Sequence, residues 1–576
     1  MQDGLTFVFL AIIILISIAV IEIIKRQKNI KKLRLELVSN WGKKPSDKYY
    51  DNDLKSIASF FNNRSNQFRD SHFIIDDITW NDLDMDNVFK RINYTQSTVG
   101  EEYLYCLLRE PVFDGDILKE RNKLISFFQN SPRERLELQY QLARLGKVRS
   151  VDITDFLYSD EKPSPLKGRY YKLLAAAFLI SPFLIIFNAT LGVIVLLAFL
   201  SVNMTVYYRT KREIEKNLQS IGYIVNMVGY ARKISNLNME EISSYREVLS
   251  TCSKKVINTA FKSFYQLFHS TQDIFIEYIK IILLGELIAY ESLLNNIYRH
   301  RAELLEIYET LGLLDSTLAI ASYRDSLDYY TIPVLNKASG SKNCKQKDSA
   351  YQKSSVYIDF KDIYHPLINE PVPNSASICR DVLITGSNAS GKSTFLKTTA
   401  INAIFAQSIC TCLAREYSSS YFMVLSSMAL KDNLLANESY FIVEIKSLRR
   451  ILNSLRKDIP CLCFIDEVLR GTNTVERIAA SSEILYHLSL NNCICIAATH
   501  DIELASILSH YYDNYHFEER LTDNEIIFDY KIYPGKSNTR NAIKLLKLMG
   551  YDESIVNSAE ERSLKYLEEG IWNIIN

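Results

Sequence analysis

The chain has no excess of charge of either sign. Its 576 residues carry 67 Lys+Arg against 67 Asp+Glu, so no global basic field marks a nucleic-acid binder, although a neutral total leaves room for a local patch. The N-terminus, Met-Gln-Asp-Gly, has no positive side chain, the apolar run behind it is long, and no small-residue cleavage site follows. That combination argues against a cleaved signal peptide. Three Cys-x-Cys pairs stand among the ten cysteines, Cys410/Cys412, Cys461/Cys463 and Cys493/Cys495, but the further ligands expected of a metal site are missing beside them. The latter two pairs lie on apolar runs where residues i and i+2 face the same way, which reads as small buried hydrophobes in a sheet. At this length the chain is expected to hold more than one domain.

What is present centres on Gly386, Ser387, Asn388, Ala389, Ser390, Gly391, Lys392, Ser393 and Thr394. An apolar run, Val382-Leu383-Ile384, precedes this stretch and a helical pattern from Phe395 follows. Strand, glycine-bounded loop and helix form the setting a phosphate-binding loop requires. Gly386 and Gly391 let the backbone curl so that amide N–H groups and the helix N-terminus face the α- and β-phosphates. Lys392 is expected to reach the β- and γ-phosphates, and the Ser393 hydroxyl to sit on Mg²⁺. A glycine turn with a surface lysine is the bland alternative, and a second half-site argues against it. The apolar strand 461–465 ends in Asp466-Glu467, which suits Asp466 to hold the Mg²⁺ shell and Glu467 to polarise the attacking water. A later apolar strand, 493–498, ends in Thr499-His500, where His500 is placed to sense the γ-phosphate. Lys392, Glu467 and His500 are thus the catalytic candidates. Three strand tips converging on one chemistry predict an α/β P-loop domain over 356–548 that binds ATP and Mg²⁺. A cytosolic domain of this kind argues against a disulfide framework.

Residues 4–24 are almost wholly apolar and match the ~20 residues that span a bilayer core. Lys25, Arg26, Lys28, Lys31, Lys32 and Arg34 follow and open a basic amphipathic connector over 25–75. Cationic flanks stay cytoplasmic, which places the N-terminus outside, and the same cluster suits anionic lipid heads. A second apolar block, 171–208, has no charge between Lys172 and Arg209 and is interrupted by Phe187-Asn-Ala-Thr190. It reads as two short crossings joined by a tight turn, with a buried helical hairpin as the alternative. The expectation is a cell-membrane protein with three crossings and a cytoplasmic ATPase, touching lipid and an unnamed membrane partner. Residues 76–165 and 209–330 show helical periodicity. A polar linker is expected over 331–355, and a helical tail over 549–576.

The runs Asp466-Glu-Val-Leu-Arg-Gly-Thr-Asn-Thr474 and Glu438-Ser-Tyr-Phe-Ile-Val-Glu444, with Thr499-His500, resemble the MutS family ATPase, the ABC-type ATPase of DNA mismatch repair. Tyr364-His-Pro366, Val372-Pro-Asn374, Ala406-Gln407 and Pro534-Gly535 add to the likeness. Upstream, Asp82-Leu-Asp84, Thr95-Gln-Ser-Thr-Val-Gly100, Arg109-Glu-Pro111 and Tyr308-Glu-Thr-Leu-Gly-Leu-Leu-Asp315 resemble the family's all-α core, which the 171–208 block divides. The likeness covers roughly 76–165 and 209–560. It implies that Ser439 is the signature serine that reaches the γ-phosphate bound by the other subunit. A homodimer with two composite sites follows, with DNA as a partner and the tail helping to dimerise.

The sequence departs from the family in several places. Pro371 stands where an aromatic residue usually stacks on adenine, Leu469 replaces a usual glycine, and Glu476 stands where aspartate is common. The mismatch-reading domain with its Phe-x-Glu wedge is missing ahead of the helical core. Two functions from different classes follow. One is a membrane-tethered, ATP-gated DNA clamp of the mismatch-repair type, favoured by the resemblance. The other is an ATP-driven motor acting on the membrane or a membrane protein, favoured by the apolar insertion and the missing reader.

Overall fold

The computed structural model describes residues 2–68, 73–149, 153–158, 162, 164–258, 261–262, 274–337, 356–387, 390–428, 440–470, 472–521, 526–536, 543, 546, 549–572 and 574. The chain forms two compact units that do not follow chain order. The first comprises Met1–His72, Ile92–Arg109 and Lys119–Leu327, the second Phe73–Arg91, Glu110–Leu118 and Asp328–Asn576.

The first unit is helical. Its principal helices are α1 (Gln2–Asn40), α2 (Thr98–Arg109), α3 (Pro132–Leu145), α4 (Pro165–Ile180), α5 (Ala189–Ser235), α6 (Gly285–Arg299) and α7 (Arg301–Asp325). Its centre is the crossing of α2 and α7, and two glycines set how close they come. A Cβ on Gly100 would stand 2.2 Å from Asp315 Oδ2, and one on Gly312 would stand 2.6 Å from Tyr103 Cβ. Asp315, fully buried on α7, accepts from the backbone N–H groups of Gln96 at 3.0 Å and Ser97 at 2.8 Å, and from the Ser97 hydroxyl. It thus serves the unsatisfied donors at the start of α2 from a neighbouring helix. Burial pushes its carboxyl up to about 6, while those donors oppose the shift. Two turns back along α7, the Tyr308 hydroxyl donates to Glu102 Oε2 at 2.6 Å. Helix α1 joins the unit through an Arg34–Glu137 ion pair of 2.8 Å with α3.

Helices α4 and α5 form a hairpin. A 3₁₀ turn at Ser181–Phe183 accommodates Pro182, and Asn188 Oδ1 caps α5 by accepting from Leu191 N at 3.1 Å. Gly192 allows the arms to meet, since a Cβ there would lie 2.5 Å from Ile185 N. The second arm does not stop where its apolar residues stop. Helix α5 runs for 47 residues. No proline interrupts it, and the change from apolar to charged side chains at Arg209 alters what the helix faces, not whether it propagates.

The expectation of three membrane crossings is corrected. Among the described residues, two stretches are long and apolar enough to cross, Leu166–Phe187 and Ala189–Glu215. The third expected span, 4–24, is the start of α1, and its side chains up to residue 16 lie outside the described residues. Apolar length alone does not decide a crossing, because core helices and signal sequences share it.

The second unit holds two sheets built from β1 (Val334–Asn336), β2 (Ile358–Ile363), β3 (Asn374–Ile378), β4 (Asp381–Thr385), β5 (Glu416–Ser420), β6 (Met423–Ser427), β7 (Cys461–Asp466), β8 (Cys493–Thr499), β9 (Tyr512–Leu521) and β10 (Ile526–Pro534). The smaller sheet has the order β1-β5-β2-β3 and the larger β10-β9-β4-β8-β7-β6. In the larger sheet every pairing is parallel except β10 with β9. Strands β4, β6 and β8 are buried throughout, which is why they read as continuous apolar runs rather than alternating ones. Helices α8 (Lys392–Ser408), α9 (Tyr440–Ser454), α10 (Thr474–Ser489), α11 (Ile502–Ile507) and α12 (Glu553–Glu569) complete this unit. Cys461 pairs in register with Cys493 and Cys463 with Cys495, and all four are buried in one apolar core without a disulfide. Cys379 departs from the expected absence of disulfides, being disulfide-bonded.

Two pieces of the 76–165 segment belong to this unit rather than to the helical one. Buried Asp82 anchors the first of them, accepting from Ser426 Oγ at 2.7 Å and Met428 N at 3.0 Å. Within the expected linker, Val334–Asn336 pairs with β5 as a short strand, and 338–355 lie outside the described residues.

Candidate functional site

Strand register builds the site. Strands β4, β8 and β7 are neighbours, with Thr385 opposite Thr499 and Asp466 opposite Ala498. Their C-terminal ends therefore present the Gly386 loop, His500 and the Asp466-Glu467 pair side by side. Gly386 has φ 147° and Gly391 φ 109°. A Cβ on Gly386 would meet Phe517 O at 3.1 Å, and one on Gly391 would meet Tyr530 Cδ1 at 3.3 Å. Both glycines are thus required by backbone conformation and by crowding. Gly391 caps α8, whose first residues are Lys392, Ser393 and Thr394. Ser390 Oγ donates to Ser387 O at 2.9 Å and tightens the turn. Asn388, Ala389 and Ser439 lie outside the described residues.

Lys392 is buried, and its Nζ donates to Gly386 O and Ser387 O, each at 2.8 Å, with His500 Nε2 at 3.5 Å. Burial pulls its ammonium down to about 8, opposed by the carboxylates of Asp466, Glu467 and Glu519. Asp466 is hydrogen-bonded to Ser393; burial raises its carboxyl, and that bond opposes the rise. Glu467 Oε1 lies 2.9 Å from His500 Nε2, and its Oε2 lies 2.9 Å from Arg470 Nε. The His500 contact is the main reason its carboxyl sits below the usual range. One carboxyl of the pair is thus pushed up and the other down, which separates their roles at one pH. Beyond β8, Arg477 clamps Asp501 with bonds of 2.9 and 2.7 Å, and Asp501 N donates to Thr499 Oγ1 at 3.0 Å. These contacts fix the loop that carries His500.

Beside Gly391 opens a cavity of about 350 Å³, lined among others by His365, Pro371, Asn374, Thr394, Phe517 and Tyr530. A β-bulge between Phe528 and Ile532 turns Tyr530 into it with φ 54°. Asn374 locks the bulge, its Nδ2 donating to Tyr530 O at 3.0 Å and its Oδ1 accepting from Ile532 N at 2.9 Å. His365 is held down to about 4, first by burial and then by Lys397. Its Nδ1 accepts from Leu367 N at 3.2 Å, so it is a neutral acceptor at physiological pH.

Residues 382–568 match the family model MutS domain V. The DNA mismatch repair protein MutS of Thermotoga maritima is 23% identical over 534 residues, covering 82% of this chain and 62% of that protein. Residues 382–568 thus carry a MutS domain V, and the chain is similar to MutS proteins over most of its length. The DNA mismatch repair protein MSH3 of Eremothecium gossypii is 29% identical over 294 residues, covering 49% of this chain and 27% of its own length. MutS protein homolog 4 of Homo sapiens is 28% identical over 301 residues, covering 49% and 30%. The chain thus spans between about a quarter and three-fifths of the length of these relatives. Two of these three are named as DNA mismatch repair proteins. With two such stretches among the described residues where three were expected, the placement in the cell membrane with an outside N-terminus is withdrawn.

The departures from the MutS pattern acquire physical content. Leu469, in the place of a usual glycine, sits at φ 58°, a conformation that favours glycine. Its N–H is held by Glu444 Oε1. Glu476 accepts from Thr472 Oγ1 at 3.4 Å on the exposed start of α10. Pro371 lines the cavity without an aromatic ring, and Tyr530 supplies one. Sequence reasoning missed Tyr530, Arg470 and Glu519. Glu519 on β9 accepts from the Ser387 hydroxyl of the loop.

Proposed function

We propose that this chain binds ATP with Mg²⁺, hydrolyses it and works as a homodimer, and that it acts on DNA, as two relatives named DNA mismatch repair proteins do. The observation that carries the reading is the convergence of Lys392, Ser393–Asp466 and Glu467–His500 on three adjacent strand tips. The Ser393 hydroxyl and the Asp466 carboxylate, already in contact, form a hard-oxygen pair of the kind Mg²⁺ takes when phosphates supply further ligands. Mg²⁺ held by this pair would supply positive charge against the phosphates. Lys392, now on the carbonyls of Gly386 and Ser387, turns to the β- and γ-phosphates. Glu467, kept ionised by His500, orients water and accepts its proton. His500 is a positioning residue for Glu467 and a contact for the γ-phosphate. The base enters the cavity beside Gly391 and packs on Tyr530. Ser439 of a second subunit completes the site. DNA meets exposed cations of the helical unit such as Arg232, Lys233 and Lys254.

The test is Mg²⁺-dependent phosphate release by the purified chain. Lys392→Ala should abolish both ATP binding and release. Unchanged release in that variant overturns the assignment. Duplex DNA binding should weaken steeply with added salt, and a flat salt response removes DNA from the reading.

A further inference from the structure

Away from the strand tips, the helical unit contains a second cavity, of about 340 Å³, where the start of α4, the middle of α5 and α6 meet. At its wall is Glu291, 6% exposed. Among the described residues no hydrogen bond or salt bridge reaches this carboxylate. Gly168 brings the α4 backbone against it, since a Cβ there would lie 3.4 Å from Glu291 Cβ. Burial raises its carboxyl, and the charge of Lys167 opposes the rise. The carboxylate oxygens are open to solvent through the cavity, so a ligand that pairs with them there takes the place of water. The rest of the lining says what that ligand is. Tyr290 and Tyr298 flank Glu291, with the Tyr290 hydroxyl accepting from Asn217 Nδ2 at 3.4 Å. The Tyr298 ring already holds the Arg301 guanidinium, 5.4 Å from its centroid, while the Tyr290 ring beside the carboxylate suits an ammonium group. Lys162 and Lys167, also lining the cavity, keep their residues exposed and would repel a simple cation. They suit an acidic group at the other end of the same molecule. A metal is disfavoured, because among the described residues no group of three His, Cys, Asp or Glu gathers anywhere. The volume falls within the range of small-molecule pockets.

We propose that this cavity binds a small zwitterion of the amino-acid type, its ammonium group against Glu291 and its acidic group against Lys167. The ligand would tie α4, α5 and α6 together at the base of the hairpin. The site is independent of the nucleotide reading, so failure of either leaves the other standing.

Titration calorimetry on the full chain tests it, with ω-amino acids of graded length as probes and hexylamine and hexanoate as single-charge controls. At least one amino acid should saturate with a Kd of about 1 mM or tighter, and both controls should bind at least about tenfold more weakly. Glu291→Gln should weaken that amino acid by about tenfold or more. Lys167→Gln, at an exposed residue, should cut the advantage of the amino acid over hexylamine. No saturable binding by any probe means that the cavity holds only water, and overturns the proposal. So does undiminished binding in Glu291→Gln. If that variant loses its helical circular dichroism, Lys167→Gln decides: an unchanged preference for the amino acid over hexylamine refutes the assignment.

Discussion

Replacing Glu467 by glutamine separates binding from turnover more sharply than any other change at the strand tips. The side chain keeps its size and can still hydrogen-bond with His500 and Arg470, which now stand 2.9 Å from its two oxygens. What disappears is the charge, and with it the ability to take a proton from water. A positioned general base contributes about a hundredfold to ten-thousandfold, or roughly 3–5 kcal/mol of barrier. Nothing that would hold phosphate is altered, because Lys392, Ser393 and Asp466 keep their places. ATP affinity should therefore change by less than about threefold, under ~0.7 kcal/mol. Loss of the nearby negative charge also makes Lys392 easier to deprotonate, so the comparison belongs near neutral pH. Single-turnover phosphate release gives the first quantity and equilibrium titration with a fluorescent nucleotide the second. A variant that keeps more than about a tenth of the wild-type rate would refute the role of Glu467 as base.

Further outcomes follow from other parts of the molecule. Burial pulls the Lys392 ammonium down to about 8, so between about pH 7, where the nucleotide's phosphate is still ionised, and that value ATP affinity should be flat. Above it, where binding must first recharge the lysine, affinity should fall by up to about tenfold per pH unit, as a pH series of nucleotide titrations can check. Gly100→Ala would drive a methyl into the buried Asp315 carboxylate and should cost at least ~1–3 kcal/mol, read as a lower urea midpoint at constant slope. Tyr530→Ala should weaken ATP by about 0.5–1.5 kcal/mol while Tyr530→Phe stays near wild type, since stacking needs the ring and not the hydroxyl.

Legibility in the sequence followed locality. The glycine loop, the Asp466-Glu467 pair and His500 were visible because each sits at the end of an unbroken apolar run, and buried parallel strands produce such runs. Tyr530 was not, because its place depends on a bulge in β10 and on Asn374 more than 150 residues away in the chain. Glu519 reaches Ser387 through strand pairing that no spacing rule encodes. The helical motifs at 95–100 and 308–315 read as one likeness, and the fold gives the reason: Asp315 and Gly100 are halves of a single contact. Hydropathy misjudged α5, because it registers what a helix faces and is blind to backbone continuity. The resemblance placed Asp82 with the helical core, whereas this residue, at the end of a short helix, belongs to the second unit and is bound to the strand residue Ser426.

The unbroken α5 gives the helical unit a lever. At 1.5 Å per residue its 47 residues measure about 70 Å. With no proline to absorb bending, a tilt of about 5° near Arg232 would carry the Asn188 end through roughly 6 Å. A change too small to notice where α5 packs against its neighbours would become a displacement easily measured by paired spin labels at the turn of the hairpin.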